Sequence, residues 1–429
     1  IRASDWSSDV CSSDLKKYCI TLDDVKEARN RIKDEVLETQ LDHSTNLSNV
    51  CGCNLSLKLE NFQKCKSFKF RGAYNKIKTL PKGSTVVAVS GGNHSQGVAL
   101  ASKLCDCKSI VYVPEFASNS KIDATLHYGG QVVKKGSTYA ESNQIMENDL
   151  MHHADWVTVP EANDPLVIAG AGTIGLEILE KNPDVETIVI PIGGGGLISG
   201  VAYTIKQIKP EVRIIGVQTA SCPVVYKAFN QKKKKISETT PKNPLTPVAD
   251  GLAVETIGDL ILDIIYDFVD DIVLVSDDDI AQAVVMLAER QKFVVEGAGA
   301  ASFAAVLSKK FSFEENENIC CILSGGNIEL KVLCRCIDRA LFLKKTRRYM
   351  DVICPYGTSN YSALYDILIN NGVEVISTVS LPHVDTYANK EHYSLTIDVP
   401  SPASFNKMEN EIKEHGWSIS VADPTAYDI

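Results

Sequence analysis

Two stretches with one shared pattern decide the fold: TVVAVSGGNHSQGVALAS at residues 85–102 and TIVIPIGGGGLISGVAYTI at residues 187–205. Each begins with a short run of mostly β-branched residues, passes through a glycine-rich loop and ends in a pattern typical of a helix. A strand that is apolar at nearly every position is buried on both faces, as in a parallel sheet covered by helices. The two stretches therefore predict an α/β fold.

Similar apolar runs alternate with helical patterns along the rest of the first 348 residues. They lie at residues 55–60, 109–114, 131–135, 213–218 and 319–324. Near the start, Thr21 and the acidic residues that follow it predict a helix that runs to residue 37. Ligands of parallel sheets bind where strands lead into helices, so the loops that follow the strands are the places to look for a site.

The chain is predicted to have three parts. Residues 1–15 lack an initial Met and have neither the basic nor the apolar segment of a signal peptide, so we expect a non-native leader there. Residues 16–348 form the α/β unit. Residues 349–429 follow the order strand, helix, strand, strand, helix, strand, which predicts a ferredoxin-like domain.

Composition excludes several classes of protein. The 429 residues include 44 Lys and Arg against 54 Asp and Glu, and the net charge of −10 argues against a large nucleic-acid surface. Apolar residues make up 44%, which is typical of a folded protein, and no apolar run is long enough to span a membrane. The 13 cysteines lack the C-x-x-C spacing of zinc sites and are expected to be reduced thiols in a cytoplasmic protein. The lysine run at 232–235 is expected to be a solvated surface excursion.

Four loops at predicted strand ends carry residues suited to chemistry. Lys69 begins a helix, where the helix dipole and burial favour a neutral amine able to act as base or nucleophile, although such a lysine can also simply be solvated. Asn93 lies in a glycine-rich turn that suits an anion and that could equally be a helix cap. Glycines at 193–196 cost backbone entropy, which the close approach of a phosphate would explain. Ser324 can make one hydrogen bond or cap a turn.

Five strings in this order and spacing resemble the fold-type-II pyridoxal-phosphate enzymes, and among them the threonine/serine dehydratases (threonine ammonia-lyases): SFKFRGAYNKI, SGGNHSQGVALAS, PIGGGGLISGVA, EGAGAAS and LSGGNI. The resemblance extends from about Thr21 to about Arg348. It implies the fold of the tryptophan synthase β subunit, with two interleaved parallel-sheet domains of which the smaller, at about 65–165, is mobile. It also implies pyridoxal 5'-phosphate as cofactor.

The resemblance assigns a role to each loop. Lys69 would be the catalytic residue and bind the cofactor covalently, and Phe68 would pack beside it. Asn93 would hydrogen-bond the 3' oxygen of the cofactor, and Ser324 its pyridine nitrogen. The phosphate would be bound by the loop residues Gly193, Gly194, Gly195, Gly196 and Leu197. The substrate carboxylate would be bound by Ser90, Gly92, Asn93 and His94.

The activity implied is that of an L-threonine ammonia-lyase, which converts L-threonine to 2-oxobutanoate and ammonia, and L-serine to pyruvate. The alternatives are a serine racemase, a hydroxyaspartate ammonia-lyase or a catalytically silent amino-acid sensor. Serine racemases have a second Ser where this chain has Gly91, which cannot transfer a proton, and this disfavours racemisation. Residues 349–429 resemble a regulatory ACT-type domain, which would bind an amino-acid or nucleotide effector or only form dimers. A homodimer or homotetramer is expected.

The chain departs from the family pattern at two points. Lys66 stands where the family usually has Gly. The strand that ends at Gln218 is not followed by the carboxylate with which some relatives bind a divalent cation, so no metal site is predicted. Glu296 matches a family position near the active site, where a structural role is an equally good interpretation.

Overall fold

The computed structural model describes residues 17–231, 248–254, 256–381 and 389–422. The expected leader at 1–15 and the lysine run at 232–235 lie outside the described residues. The chain divides between Val332 and Leu333 into two units. This division comes earlier in the chain than residue 349, where the change of pattern begins. Within the described residues, no helix combines the length and the apolar character needed to cross a membrane.

The first unit contains helices and strands in alternation. Its helices are α1 (Leu22–Ile32), α2 (Thr45–Cys51), α3 (Lys69–Ile77), α4 (Asn93–Leu104), α5 (Asn119–His127), α6 (Tyr139–Met151), α7 (Pro165–Lys181), α8 (Gly196–Ile208), α9 (Val224–Gln231), α10 (Asp259–Phe268), α11 (Asp277–Met286) and α12 (Gly297–Leu307). Its strands are β1 (Leu41–His43), β2 (Asn54–Lys58), β3 (Thr85–Val89), β4 (Lys108–Val113), β5 (Gln131–Lys134), β6 (Trp156–Thr158), β7 (Thr187–Pro191), β8 (Arg213–Thr219), β9 (Asp271–Val275) and β10 (Asn318–Ile322). Short helical turns lie at Glu60–Phe62, Asp250–Leu252 and Leu287–Gln291, and α13 (Leu330–Leu343) continues into the second unit.

Two sheets organise the first unit. The larger has the order β1-β2-β10-β7-β8-β9, and all its pairs are parallel except β1 with β2. The smaller has the order β5-β4-β3-β6 and is parallel throughout. The predicted α/β fold with two parallel-sheet domains is therefore confirmed.

The core explains why the apolar runs form strands. Every residue of β7 is buried, and its Ile188 lies beside Ile214 of β8. Ile198 of α8 packs against the same core. At the start of the chain, Thr21 caps α1 through a reciprocal pair of hydrogen bonds with Asp24, as the sequence predicts, although the helix ends at Ile32 instead of residue 37.

The second unit is an antiparallel sheet with two helices. Its elements after α13 are β11 (Arg347–Pro355), α14 (Thr358–Asn370), β12 (Glu374–Leu381), β13 (Lys390–Asp398), α15 (Pro402–Glu414) and β14 (Ser418–Val421). The strand order is β12-β13-β11-β14. Val352 and Leu395 of the sheet and Leu364 and Met408 of the helices form its buried core. The predicted order of elements is observed, whereas the ACT-type function stays a prediction.

Candidate active site

The four loops singled out in the sequence meet in the first unit. Three of them follow β2, β7 and β10, which are neighbours in the larger sheet, and the fourth follows β3 of the smaller sheet. The Phe68 N–H donates to the Ser324 carbonyl over 3.0 Å, which joins the lysine loop to the serine loop. The Asn327 side-chain amide donates to Asn93 Oδ1 over 2.7 Å and joins the serine loop to the asparagine loop.

Lys69 is the first residue of α3 and its side chain is 13% exposed. Its Nζ donates a hydrogen bond to Glu161 Oε1 over 2.7 Å and lies 5.1 Å from the centre of the Phe68 ring. Phe68, Lys69, Glu161 and Gly196 line one small pocket. Lys69 and the last glycine of the glycine loop therefore border the same space.

The glycine loop at 193–196 has no room for a side chain at Gly193 or at Gly195. A Cβ at Gly193 would lie 2.4 Å from the Gly251 carbonyl oxygen, and one at Gly195 would lie 2.2 Å from a methyl group of Ile261. Gly195 also has a φ of +82°, which favours glycine. It caps α8, whose first backbone N–H groups and helix dipole make an anion site, while the following Leu197 is buried. The loop is built to receive an anion such as phosphate through its backbone.

Asn93 begins α4, and its side-chain N–H donates to Glu296 Oε1 over 2.5 Å. Burial raises the pKa of Glu296 to about 7, with a further rise from the charge of Asp250 and an opposing effect from the Asn93 hydrogen bond. Glu296 itself caps α12 and donates its backbone N–H to the Gly325 carbonyl. Glu296 thus fixes the orientation of the Asn93 amide, so that it is both part of the site and structural.

Ser324 is buried, and its hydroxyl has only a long 3.5 Å contact with the Ala298 carbonyl. A buried hydroxyl at this distance from its acceptor can turn to a better partner in the pocket. Ser324 therefore suits the role of a neutral hydrogen-bonding group, which is the role that the sequence suggests.

The residues predicted to bind a carboxylate are near one another but differ in the hydrogen-bonding groups that they could offer to it. Ser90 Oγ accepts the Gly92 N–H over 3.2 Å. His94 is 2% exposed and its Nε2 donates to the Val159 carbonyl over 2.8 Å, so its imidazole connects α4 to the chain after β6. Its backbone N–H, in the first turn of α4, is the group that can serve an anion. The assignment of all these residues to substrate stays a prediction.

We expect His94 to make the stability of the protein depend on pH. Burial lowers its pKa from 6.5 to about 4, so between these values the unfolded chain binds a proton that the folded chain does not. Protons then favour unfolding, and the free energy of unfolding should fall by up to about 3 kcal/mol from pH 6.5 to pH 4 on this account. Chemical denaturation of the protein and of His94→Gln across this range tests this, and equal losses in the two would contradict it.

Comparison with known proteins decides the family. The family model of pyridoxal-phosphate-dependent enzymes matches residues 32–325. The chain belongs to this family. The enzyme shares 40% identity with an L-threonine ammonia-lyase of Thermotoga maritima over 361 residues, which cover 83% of this chain and 88% of that relative. It shares 40% identity with a catabolic L-threonine dehydratase of Escherichia coli, covering 72% of this chain and 94% of the relative.

Solved structures agree with this assignment. The structure of the processed form of threonine deaminase isoform 2 from Solanum lycopersicum superposes with a TM-score of 0.69 at 32% identity, covering 78% of the enzyme and 94% of that chain. The structure of maize serine racemase superposes with a TM-score of 0.69 at 33% identity, covering 76% of the enzyme and 100% of that chain. The resemblance to fold-type-II enzymes and the dependence on pyridoxal phosphate are confirmed.

The residues that the four loops bring to the candidate site fit this cofactor. A primary amine, a backbone anion site that excludes side chains and a buried hydroxyl without a close acceptor are the groups needed for an aldehyde, a phosphate and a ring nitrogen. The individual assignments of Lys69, Asn93 and Ser324 to these atoms stay predictions. Within the described residues, no three His, Cys, Asp or Glu side chains are grouped so as to hold a metal ion.

The structure adds site residues that the sequence analysis missed. Glu161 contacts Lys69, Tyr139 lies over Gly91, and Arg71 anchors α3 from inside the core. Glu161 comes from the loop after β6 and Tyr139 begins α6 after β5, and neither segment carries a recognisable motif. Arg71 could have been found from the sequence, because a charged residue in a segment that is buried must have partners of opposite charge or hydrogen-bond partners.

The backbone conformation at Lys66 explains why the family usually has glycine at this position. Its φ is +60°, a left-handed conformation that costs a non-glycine residue about 1–2 kcal/mol. We expect Lys66→Gly to raise the free energy of unfolding by up to about 1 kcal/mol, after allowance for the greater entropy of glycine in the unfolded chain. Lys78, with a φ of −62°, is the matched control, since Lys78→Gly should be destabilising in the same denaturation experiment.

Proposed function

We propose that this enzyme is an L-threonine ammonia-lyase that also acts on L-serine. The observation that carries the proposal is that Lys69 and Gly196, the first residue of α8, line the same small pocket. The 40% identity to relatives named L-threonine ammonia-lyase and L-threonine dehydratase supports the substrate. The reaction eliminates water from L-threonine, and water then hydrolyses the resulting enamine to 2-oxobutanoate and ammonia.

The chemistry divides between the cofactor and the protein. When bound, pyridoxal phosphate supplies an aldehyde for the substrate amine and a ring that withdraws electrons. Lys69 would be the base for the Cα proton, because its primary amine lies in the pocket that would hold the cofactor and substrate. Ser324 would offer the ring nitrogen a neutral hydroxyl, which would make the ring a weaker electron acceptor and so favour elimination. Backbone N–H groups at the start of α4 hold the substrate carboxylate.

The racemase alternative has support from the maize structure, but Gly91 and Tyr139 speak against it. A Cβ at Gly91 would lie 2.5 Å from the Tyr139 hydroxyl oxygen, so that the place of a second acid or base is taken by a tyrosine. Burial raises the pKa of Tyr139, so its phenol stays protonated and is not the base that racemisation starting from the D-amino acid would need. Elimination is therefore favoured over racemisation.

The location, assembly and regulation of the enzyme are part of the same proposal. We place the enzyme in the cytoplasm, as a homodimer or homotetramer that binds neither nucleic acid nor membrane. The second unit would be an ACT-type domain that binds an amino-acid or nucleotide effector. Turnover of threonine with and without isoleucine, valine or AMP tests the effector, and an unchanged rate with all three would favour a purely dimerising unit.

The activity is tested with purified protein loaded with pyridoxal phosphate. L-Threonine should yield 2-oxobutanoate and ammonia in equal amounts, and L-serine should yield pyruvate. D-Serine from L-serine, without keto acid, would favour racemisation. A bound cofactor with no product from either amino acid would favour the silent amino-acid sensor.

A further inference from the structure

Glu161 is a carboxylate at the catalytic lysine that no motif explains. Its Oε1 accepts the hydrogen bond from Lys69 Nζ, its side chain is 47% exposed, and it lines the same pocket as Lys69. The charge of Lys69 lowers the pKa of Glu161, against the opposing effect of burial. The carboxylate is therefore ionised at neutral pH and forms an ion pair with Lys69.

The chain on both sides of Glu161 is fixed. Before it, the Val159 carbonyl accepts the His94 imidazole and the Val159 N–H donates to β3 at Val87 over 2.9 Å. After it, Asp164 caps α7 by accepting the Leu166 and Val167 N–H groups and forms an ion pair with Lys76 of α3. Because the loop is held at both ends, the position of its carboxylate is a property of the fold.

The same loop borders the glycine cradle, the backbone of residues 193–196. A Cβ at Gly196 would lie 3.1 Å from the Ala162 Cα and 3.7 Å from the Glu161 carbonyl oxygen. Glu161 is thus close both to the amine that reacts and to the backbone groups that would receive the phosphate.

We propose that Glu161 is a positioning residue that holds the Lys69 ammonium in a stored, unreactive form until the cofactor arrives. To react, the ammonium must leave Glu161 and give one proton to solvent. The amine nitrogen then bonds to the aldehyde carbon, a C=N bond forms and the aldehyde oxygen leaves as water. The pair adds to the barrier of this step. The inference rests on the proposed role of Lys69 in the proposed function.

The test measures cofactor uptake by the apoenzyme, followed by absorbance without any amino acid present. Glu161→Gln should take up pyridoxal phosphate about fivefold faster than the wild type, a factor that corresponds to about 1 kcal/mol for a partly exposed pair. Pyridoxal, which has no phosphate, should show the same acceleration. Glu180→Gln is the matched control, because Glu180 is a 53% exposed partner of Arg29, and its rate should not change.

Several results would overturn the proposal. Equal or slower uptake by Glu161→Gln would show that the pair does not delay the lysine. Faster uptake of pyridoxal phosphate alone would show that Glu161 acts by repelling the phosphate. Glu161→Asp, whose shorter side chain cannot span the same distance, should give an intermediate rate and serves as the test if the Gln variant does not fold. If the wild type takes up pyridoxal phosphate but does not convert threonine, the proposed activity is contradicted and the inference about Glu161 is not.

Discussion

Lys69→Ala is expected to lower keto-acid formation from L-threonine by at least about a thousandfold, because it removes both the covalent partner of the cofactor and the base for the Cα proton. The change removes an amine from the pocket but no core packing, since the side chain is partly exposed and bonded only to Glu161 among the described contacts. The unfolding temperature should therefore change little. Steady-state assays of keto acid and the visible spectrum of the loaded protein measure the two effects.

A second lysine of the same helix controls for charge. Lys78 lies at the end of α3 and bonds to the Tyr74 hydroxyl, away from the pocket. Lys78→Ala should keep its spectrum and its activity. If Lys69→Ala retained both the cofactor spectrum and the activity, Lys69 would not be the attachment site and the assignment of the pocket would be wrong.

Arg71→Met is expected to lower the free energy of unfolding of the first unit by about 3–5 kcal/mol, since it leaves buried carboxylates without their partner. Arg71 is fully buried and bonds to Glu60 over 2.8 Å at both Nε and Nη2, and to Glu177 over 2.6 Å from Nη1. Lys58 is also buried and pairs with Glu177. Chemical denaturation measures the loss.

The pKa of Glu60 shows that the cluster is charged in the folded protein. Burial acts to raise this pKa, but the charges of Arg71 and Lys58 prevail and it lies below its ordinary value. The stability that it contributes is present above its ordinary pKa of 4.5 and is lost as the pH falls through the lower folded value. In Arg71→Met this contribution should disappear, so the variant should lose less stability in acid than the wild type.

Two further variants separate charge from size. Arg29 forms a surface pair with Glu180, so Arg29→Met should cost less than about 1 kcal/mol. The double variant Arg71→Met and Glu60→Gln removes the carboxylate that Arg71→Met strands, while Lys58 keeps its pair with Glu177, and should recover part of the loss. A small effect of Arg71→Met, similar to that of Arg29→Met, would show that the cluster does not hold α3 in place.

The strand-loop-helix pattern made much of the fold predictable, because apolar strands and glycine loops are local features of the sequence. The loops of Asn93, residues 193–196 and Ser324 could be placed at strand ends without knowledge of their contacts. The direction of a side chain could not. His94 stands in the same loop as Asn93, yet it faces the core and bonds to Val159, since neighbouring residues of a helix point to different sides.

Contacts between distant segments were the part that could not be predicted. Glu161 and Lys69 are separated by 92 residues, and nothing in the sequence of the loop after β6 predicts an ion pair between them. The cluster of buried charges could be predicted in part, because these residues interrupt apolar runs that must be buried: Lys58, Glu60, Arg71 and Glu177. The sequence indicates that these charges need partners. It does not indicate which partners, because that depends on how α3, α7 and β2 pack.

The central claim is that the amine of Lys69 carries the cofactor at the mouth of the glycine cradle. Reduction of the loaded enzyme with borohydride fixes the C=N bond, and mass spectrometry of the digested protein then locates the added group. The account predicts the group on the peptide that contains Lys69 and on no other. Its presence on Lys58, Lys76 or any other lysine, with Lys69 unmodified, would contradict the account.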